Sequence, residues 1–289
     1  MSVQLIQVPY DSGHRGIRLG KGPLRFVDQG MARILRRRGH LVDVECLEVE
    51  TDLMNPIKTA FEVNRLLAQK VRVALESGKF PLVLAGNCNN CVGTIAGLHQ
   101  SDLGVIWFDA HGDFNTPETS YSGYLDGMAL ALATGDCWQG LLDTIPGFIP
   151  VPGNHIVHIG GRDIDPKESA RFSSAGTSLV DSKSLQAIGI HQSLKAAFEN
   201  LSHHADKIYV HIDMDIVDPA VARSKNFAPT GGLTVEQVGE ALHMIKEYFN
   251  VRAANIAACD PDSDREGRAI KAGLTFAQVL VPEGGLRRC

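Results

Sequence analysis

Short apolar runs, many rich in β-branched residues, alternate along this chain with longer stretches of helical periodicity. The runs that read as strands are 3–9, 41–47, 80–86, 104–110, 155–161, 176–182, 207–219 and 252–261. The stretches that read as helices are 23–38, 57–77, a segment ending near 98, 125–134, 187–200, 234–249 and 265–280. Such alternation predicts a parallel β-sheet with helices on both faces. Because no repeat or linker interrupts it, residues 1–289 are predicted to form one α/β domain, with the functional site at the carboxyl ends of the strands.

Charge and cysteine content narrow the classes of function. The 289 residues include 28 Lys plus Arg and 33 Asp plus Glu, a net charge of −5, so neither nucleic acid nor a membrane surface is expected as a partner. The basic run Arg36, Arg37 and Arg38 is interpreted as the solvated end of a helix. No apolar run approaches the roughly 20 residues that span a bilayer. With six cysteines and no secretory leader pattern, the sequence predicts a cytoplasmic protein with reduced thiols.

Two clusters of potential metal ligands follow two of the predicted strands. They are Asp109, His111 and Asp113 after the first strand, and Asp213 and Asp215 after the second. The spacing of two residues places the members of each cluster on one side of an extended segment. A lone Asp at such a place is usually a turn residue, but carboxylates crowded at buried strand ends need a cation between them. The oxygen-rich set favours Mn²⁺ over structural zinc, and its size favours two ions that share an activated water, as in a hydrolase.

Four segments of the chain resemble motifs of the ureohydrolase family, which comprises arginases and agmatinases. They are D-A-H-G-D-F-N-T-P-E-T at 109–119, S-G at 122–123, H-I-D-M-D-I-V-D-P at 211–219 and G-G-L-T at 231–234. The resemblance extends from V-P-Y-D near the N-terminus to the last helix. It implies an arginase-like fold, a centre of two Mn²⁺ ions and hydrolysis of a guanidino group. By position, the five residues of the two clusters match the metal ligands, and Asp113 would also hold a proton for the departing amine.

The sixth ligand of the family is a His in a G-G-D-H-S segment. Here the segment reads A-G-N-C-N at 85–89, which puts Cys88 at the position of that His. A thiolate can bind a metal, so Cys88 is a candidate ligand. Two other interpretations stay open: Cys88 and Cys91 could form a C-x-x-C redox or zinc pair, or Cys88 could be an inert buried residue. We favour the ligand because the sequence has no second C-x-x-C pair and no nearby His.

The resemblance also implies contacts to an amino-acid substrate. Asn115 and Ser122 match positions that face the α-carboxylate of arginine, and Asp165 and Glu168 match positions that face its α-amino group. Each residue alone could equally start a helix or a turn. Together they predict an arginine-like amino acid as substrate, in preference to agmatine, which has no carboxylate.

Two departures from the family pattern bear on the substrate. The proton-shuttling His of an S-G-N-x-H-G segment is replaced by Asp126, which suits the role only if burial raises its pKa. The Glu that pairs with the guanidinium in an E-V-N-P segment is replaced by Ala258. Three explanations stay open: Asp126 or Asp260 supplies the missing charge, the protein is not a catalyst, or the substrate is less cationic than arginine.

An N-hydroxyguanidine is much less basic than a guanidine, so it needs no strong counter-anion. We therefore expect hydrolysis of Nω-hydroxy-L-arginine to hydroxyurea and L-ornithine. The hydroxyarginine hydrolases of D-cycloserine biosynthesis, a branch of antibiotic biosynthesis, carry out this reaction, and the chain resembles them. The alternatives are an arginase, a hydrolase of another guanidino acid, and a non-catalytic metal-binding or regulatory relative. No dinucleotide or Walker A motif supports a dehydrogenase or an NTPase. The family implies a homo-oligomer, although the tail after Leu280 offers no evident interlocking segment.

Overall fold

A twisted sheet of eight parallel strands forms the centre of the computed structural model, which describes residues 1–49 and 55–283. The strands are β1 (Ser2–Val8), β4 (Leu41–Cys46), β5 (Phe80–Ala85), β6 (Gly104–Phe108), β7 (Ile156–Ile159), β8 (Ser178–Val180), β9 (Lys207–Asp213) and β10 (Asn250–Ala257). Their order across the sheet is β4-β1-β5-β10-β9-β6-β7-β8. A separate antiparallel ribbon pairs β2 (Tyr10–Asp11) with β3 (His14–Arg15). The predicted α/β class with a parallel sheet is confirmed.

Helices cover both faces of this sheet. They are α1 (Gly22–Asp28), α2 (Met31–Arg37), α3 (Pro56–Glu76), α4 (Cys91–Leu98), α5 (Ala129–Ala133), α6 (Gln139–Leu142), α7 (Pro166–Ala175), α8 (Ser182–Ile188), α9 (Ile190–Ser202), α10 (Val235–Tyr248) and α11 (Arg268–Leu280). Both faces of the sheet are therefore buried. In strand β6, Ile106 and Phe108 pack into the core on one face, while Val105 and Trp107 pack into the core on the other. In the described part of the chain, no helix has the length and apolar character needed to cross a membrane.

Two of the predicted helices are each divided at a glycine. The expected helix over 23–38 is α1 followed by α2, because Gly30 adopts a φ of 96° between them. The expected helix over 187–200 begins only at Ile190, because Gly189, with a φ of 86°, separates α8 from α9. A positive φ is open to glycine at little cost, and it ends the run of right-handed helical backbone. The three consecutive arginines lie exposed at the end of α2, as predicted.

The four central strands bring their carboxyl ends to one edge of the sheet. In the register of the sheet, Ala257 at the end of β10 pairs with Ala85 of β5 and with Asp213 of β9. On the other side of β9, Phe108 at the end of β6 pairs with Ile212. The loops that follow β5, β10, β9 and β6 therefore meet above this edge, which is where parallel α/β sheets form their sites.

Candidate active site

The loop after β6 carries three of the predicted ligands. The side chain of Asp109 folds back to accept a hydrogen bond from the backbone N–H of His111 at 2.8 Å. The backbone then turns sharply, since Asp113 adopts a φ of 49°. The expectation of one extended segment from Asp109 to Asp113 is therefore wrong at its end. Gly112 leaves room for the Glu168 carboxylate, because a Cβ there would lie 2.7 Å from the Glu168 carboxyl carbon and would force that side chain to shift.

The loop after β9 supplies the second pair of carboxylates and ties itself to the first loop. Strand β9 ends at Asp213, whose Oδ1 accepts a hydrogen bond from the Asp215 N–H at 2.8 Å across a tight turn. The Asp215 Oδ1 accepts a hydrogen bond from the Ala110 N–H at 3.1 Å. Backbone amides thus aim these carboxylates at one another, as the spacing predicted.

All six residues predicted as ligands lie together. In two groups of three, the potential ligand atoms lie within 4.8 Å of one another: Cys88, Asp109 and Asp113 in one group, and Asp109, His111 and Asp215 in the other. Asp109 belongs to both groups. Asp213 lies beside them, with its Oδ2 3.2 Å from the Cys88 Sγ. Each group could hold a cation, and Asp109 would then belong to both sites.

The charged residues of the two ligand groups and their neighbours strongly shift one another's pKa values. Burial and the neighbouring carboxylates raise the pKa of Asp113 and of Asp213 well above the usual range. Burial would also raise the pKa of Asp215, but Lys225 and His111 outweigh it and hold that pKa well below the usual range. Burial would lower the pKa of His111, but Asp215 and Asp109 raise it to about 11. A bound cation would offset the repulsion between these buried carboxylates.

Cys88 lies in a tight turn directly after β5 and is fully buried. Burial and Asp213 raise the pKa of its thiol, which donates a hydrogen bond to that carboxylate. Cys91 points elsewhere, with its Sγ 3.5 Å from the Ala129 carbonyl oxygen, and within the described chain it joins neither ligand group. This placement supports the interpretation of Cys88 as a ligand over that of a C-x-x-C pair.

Lys225 is a site residue that the sequence analysis missed. Its Nζ lies 2.8 Å from the Asp215 Oδ2 and 3.0 Å from the Asp213 Oδ2. The only available signal was its position, since it is the one lysine between the H-I-D-M-D-I-V-D-P and G-G-L-T segments. A positive charge therefore stands among the carboxylates.

The sequence analysis also missed Trp107, which lies in strand β6 and holds the Asp109 side chain in place. Its Nε1–H donates a hydrogen bond to the Asp109 Oδ2 at 3.1 Å, so both oxygens of that carboxylate are held. The indole stacks on the His211 ring with the ring centroids 3.7 Å apart, and the Tyr209 hydroxyl lies 2.8 Å from the His211 Nδ1. Burial lowers the pKa of His211 to about 3, so the stacked imidazole is neutral. Partners of this kind orient the groups that bind a metal.

Asp126 stands at the cavity wall in a short turn over 126–128. Its two oxygens accept hydrogen bonds from the Asn87 Nδ2 at 3.0 Å and from the Asn89 N–H at 3.1 Å. Burial raises its pKa to about 6, although Lys225 and both hydrogen bonds act in the opposite direction. The condition that sequence analysis set for Asp126 as a proton carrier, a pKa raised by burial, is therefore met.

A cavity of about 380 Å³ opens onto these groups, and its wall includes all four predicted substrate contacts. Asn115 donates a hydrogen bond from its Nδ2 to the Asp165 Oδ2 at 2.8 Å. Asp165 also caps α7, and Glu168 completes the capping box while accepting the Phe114 N–H at 3.1 Å. The side chain of Ser122 is exposed. The helix-start interpretation of Asp165 is correct, and the role of these residues as substrate contacts stays a prediction.

The position of the missing family glutamate lies directly after β10. Ala258 is completely buried there, with a φ of 60°. Asp260 binds within its own turn, accepting hydrogen bonds from the Asp262 N–H at 3.1 Å and the Ser263 hydroxyl at 3.0 Å. Among the described residues that line the cavity, Asp126 is present and Asp260 is not. Of the two acids considered as replacements for the missing charge, only Asp126 lies at the cavity.

Comparison with known proteins identifies the group to which this fold and site belong. A family model described as "Arginase family" matches residues 1–281. The chain belongs to the arginase family. This arginase-family protein is 29% identical over 296 residues to the arginase of Bacillus caldovelox, covering 97% of this chain and 98% of that protein.

Solved arginase structures agree with the assignment. The arginase of Bacillus subtilis superimposes with a TM-score of 0.89 at 27% identity, and that of Bacillus cereus with 0.89 at 29%, each covering 98% of this chain and 99% of the other. The arginase-family protein is thus a ureohydrolase-type hydrolase of guanidino compounds. Its family depends on a pair of metal ions, usually Mn²⁺, and its two ligand groups agree with that dependence.

Proposed function

We propose that this protein hydrolyses Nω-hydroxy-L-arginine to hydroxyurea and L-ornithine. The observation that carries the proposal is the Lys225 ammonium, which lines the cavity among the carboxylates. Ala258 supplies no carboxylate at the position where the family has its guanidinium-pairing Glu, and Lys225 reduces the negative charge that the remaining carboxylates offer to a guanidinium. A buried guanidinium without an anionic partner is costly, whereas a neutral N-hydroxyguanidine avoids that cost. An arginase, or a hydrolase of another guanidino acid, is the alternative that the named relatives favour.

The donor set fits two divalent ions. Asp215 Oδ2 is buried and makes no hydrogen bond of good geometry within the described residues, although two cationic groups lie near it. Cys88, Asp109, Asp113 and Asp213 would hold one ion, and Asp109, Asp213 and Asp215 with His111 the other. The preponderance of carboxylates suits Mn²⁺. Two such ions would polarise the guanidino group and supply an activated water.

The protein's own acids would then move the proton. Asp113 would lie next to the reacting carbon and would hold the proton released by the attacking water until the amine departs. Asp126 lines the same cavity, and with a pKa of about 6 it exchanges protons near neutral pH. General acid–base catalysis is most efficient when the pKa lies near the working pH. Together these acids would protonate the departing δ-nitrogen of ornithine.

The outer part of the cavity suits the amino-acid end of the substrate. The carboxylates of Asp165 and Glu168 lie on the cavity wall and suit an α-ammonium. The Asn115 amide and the exposed Ser122 hydroxyl lie on the same wall and would donate to an α-carboxylate. Agmatine lacks that carboxylate, so it should be a poor substrate.

The test compares arginine, Nω-hydroxyarginine and agmatine, with metal-stripped protein reloaded with Mn²⁺ and release of urea or hydroxyurea as the readout. We expect turnover of hydroxyarginine alone. Ala258→Glu should gain activity on arginine because it restores an anion, and Ala258→Gln, the uncharged control of equal size, should not. Cys88→His, which restores the family ligand, should also gain arginine activity. Turnover of arginine at least equal to that of hydroxyarginine by the unaltered protein would refute the substrate assignment.

We also propose that the whole chain, 1–289, forms one domain. The protein is expected in the cytoplasm, without nucleic-acid or membrane partners, and a homo-oligomer is expected from the family.

A further inference from the structure

Lys225 makes a double ion pair within the proposed metal centre. Its Nζ lies 2.8 Å from the Asp215 Oδ2 and 3.0 Å from the Asp213 Oδ2, and only 21% of its side chain is exposed. The same Asp215 oxygen lies 3.0 Å from the His111 Nδ1. A cation supplied by the chain thus already shares the carboxylate oxygens that a bound ion needs.

The backbone holds Lys225 in this position. The preceding residue, Ser224, is fully buried, and its carbonyl accepts a hydrogen bond from the Asp260 N–H at 2.8 Å, which joins this segment to the loop after β10. At the base of the segment, Asp218 accepts hydrogen bonds from the N–H groups of Gly231 and Gly232 at 2.7 and 2.9 Å. The ammonium is therefore a built part of the site and not the free end of a surface side chain.

The two ligand groups differ in their relation to this ammonium. Asp215, which Lys225 contacts directly, is a member of the group with Asp109 and His111. The other group, Cys88 with Asp109 and Asp113, forms no ion pair with Lys225 among the described residues; of the ligands proposed for its ion, only the shared Asp213 contacts the lysine, whereas the second ion would share both Asp213 and Asp215 with it. Like charges a few ångströms apart repel strongly in a buried site, so an ion entering the first group must displace the ammonium or bear its repulsion.

We infer that Lys225 competes with the second metal ion for the carboxylates of Asp213 and Asp215. The group of Cys88, Asp109 and Asp113 then binds one Mn²⁺ tightly, while the group of Asp109, His111 and Asp215 binds the second ion weakly. The inference rests on the proposed metal centre. On this inference, Lys225 decides whether the protein binds one Mn²⁺ ion tightly or two.

The experiment titrates metal-stripped full-length protein with Mn²⁺, using calorimetry for affinity and the electron paramagnetic resonance signal of free Mn²⁺ for stoichiometry. The unaltered protein should bind one ion tightly and a second at least tenfold more weakly. Lys225→Met removes the charge and keeps an apolar stem, so it should tighten the second site at least tenfold. Lys225→Arg keeps the charge and should keep the weak site. Lys79→Met, which breaks the ion pair with Asp43 outside the site, should leave both affinities unchanged.

The outcomes separate this inference from the metal centre on which it depends. Two equally tight sites in the unaltered protein, or the same ratio of affinities in Lys225→Met, would overturn the competition and leave the centre standing. Absence of Mn²⁺ binding in every variant would overturn both. If thermal melting shows that Lys225→Met is unfolded, Lys225→Gln provides the neutral side chain, and the titration of the unaltered protein decides the matter independently.

Discussion

Asp126→Asn is the sharpest test of the proton path. At a pKa of about 6, roughly 9% of Asp126 is protonated at pH 7, against roughly 0.06% for a carboxyl of ordinary pKa. Burial thus increases the acid form by about 150-fold at neutral pH. Because general acid–base catalysis contributes about 10²- to 10⁴-fold, the variant should lose at least about 100-fold in kcat. The KM should change little, since the substitution preserves size and one hydrogen-bond acceptor.

The assay is the pH profile of kcat for hydroxyarginine, from pH 5.5 to 9, with Mn²⁺-loaded protein. The contribution of Asp126 declines as the pH rises through about 6, and Asp126→Asn should lack that limb. Asn87→Leu removes a hydrogen bond that lowers the pKa of Asp126, so its limb should move to higher pH. Asp260→Asn is the matched control and should behave as the unaltered protein. If Asp126→Asn keeps kcat within about threefold and an unchanged profile, the assignment is wrong.

Three further predictions concern the support of the site. Trp107→Phe removes the hydrogen bond to Asp109, so the free energy of unfolding of the metal-free protein should fall by about 1.5–3 kcal/mol in a denaturant titration. Gly112→Ala forces a methyl group against the Glu168 carboxylate and should cost about 1–3 kcal/mol, seen as a lower Tm by calorimetry. Because folding raises the pKa of His111 to about 11, its protonated imidazole stabilises the folded protein fully below pH 6.5. This contribution is lost as the pH rises toward 11. Metal-free protein should therefore resist urea less well at pH 9.5 than at pH 7.

Each of these has a control. Gly140→Ala adds a methyl group in α6 where no heavy atom lies within 4 Å, so its Tm should not fall. His111→Asn should show a smaller difference between the two pH values than the unaltered protein, and an equal difference would refute the assignment to His111. An unchanged unfolding free energy in Trp107→Phe would show that the indole N–H contributes nothing to holding Asp109.

The strands and the edge of the sheet that carries the site were predictable from the sequence. A buried parallel strand needs a continuous apolar run, and the run 104–108 ends where the charged residues begin. The spacing of Asp213 and Asp215 likewise predicted their proximity to one another. Helix breaks were less predictable, because Gly30 would also be tolerated inside a helix, and tertiary packing decides whether its φ becomes positive.

The residues that were missed belong to loops or to the layer beneath the ligands. Lys225 lies in an irregular segment whose path is set by hydrogen bonds to Asp260 and within the loop itself, and sequence periodicity carries no information on such contacts. The backbone reversal at Asp113 has the same origin. Trp107 appeared only as an apolar strand residue, since the direction of its N–H depends on where Asp109 turns back.

The position of β10 has a consequence for the order in which the protein matures. This strand is the last to be synthesised, yet it lies between β5 and β9, in the middle of the sheet. All six proposed ligands precede it in the chain, but strand β5, which leads to Cys88, and strand β9, which ends at Asp213, are two strand spacings or about 10 Å apart. Until β10 joins the two halves of the sheet, Cys88 has no fixed distance from the ligands that follow β6 and β9. Native metal affinity would therefore report completion of the sheet, and a ribosome-bound chain that ends before residue 250 should lack it.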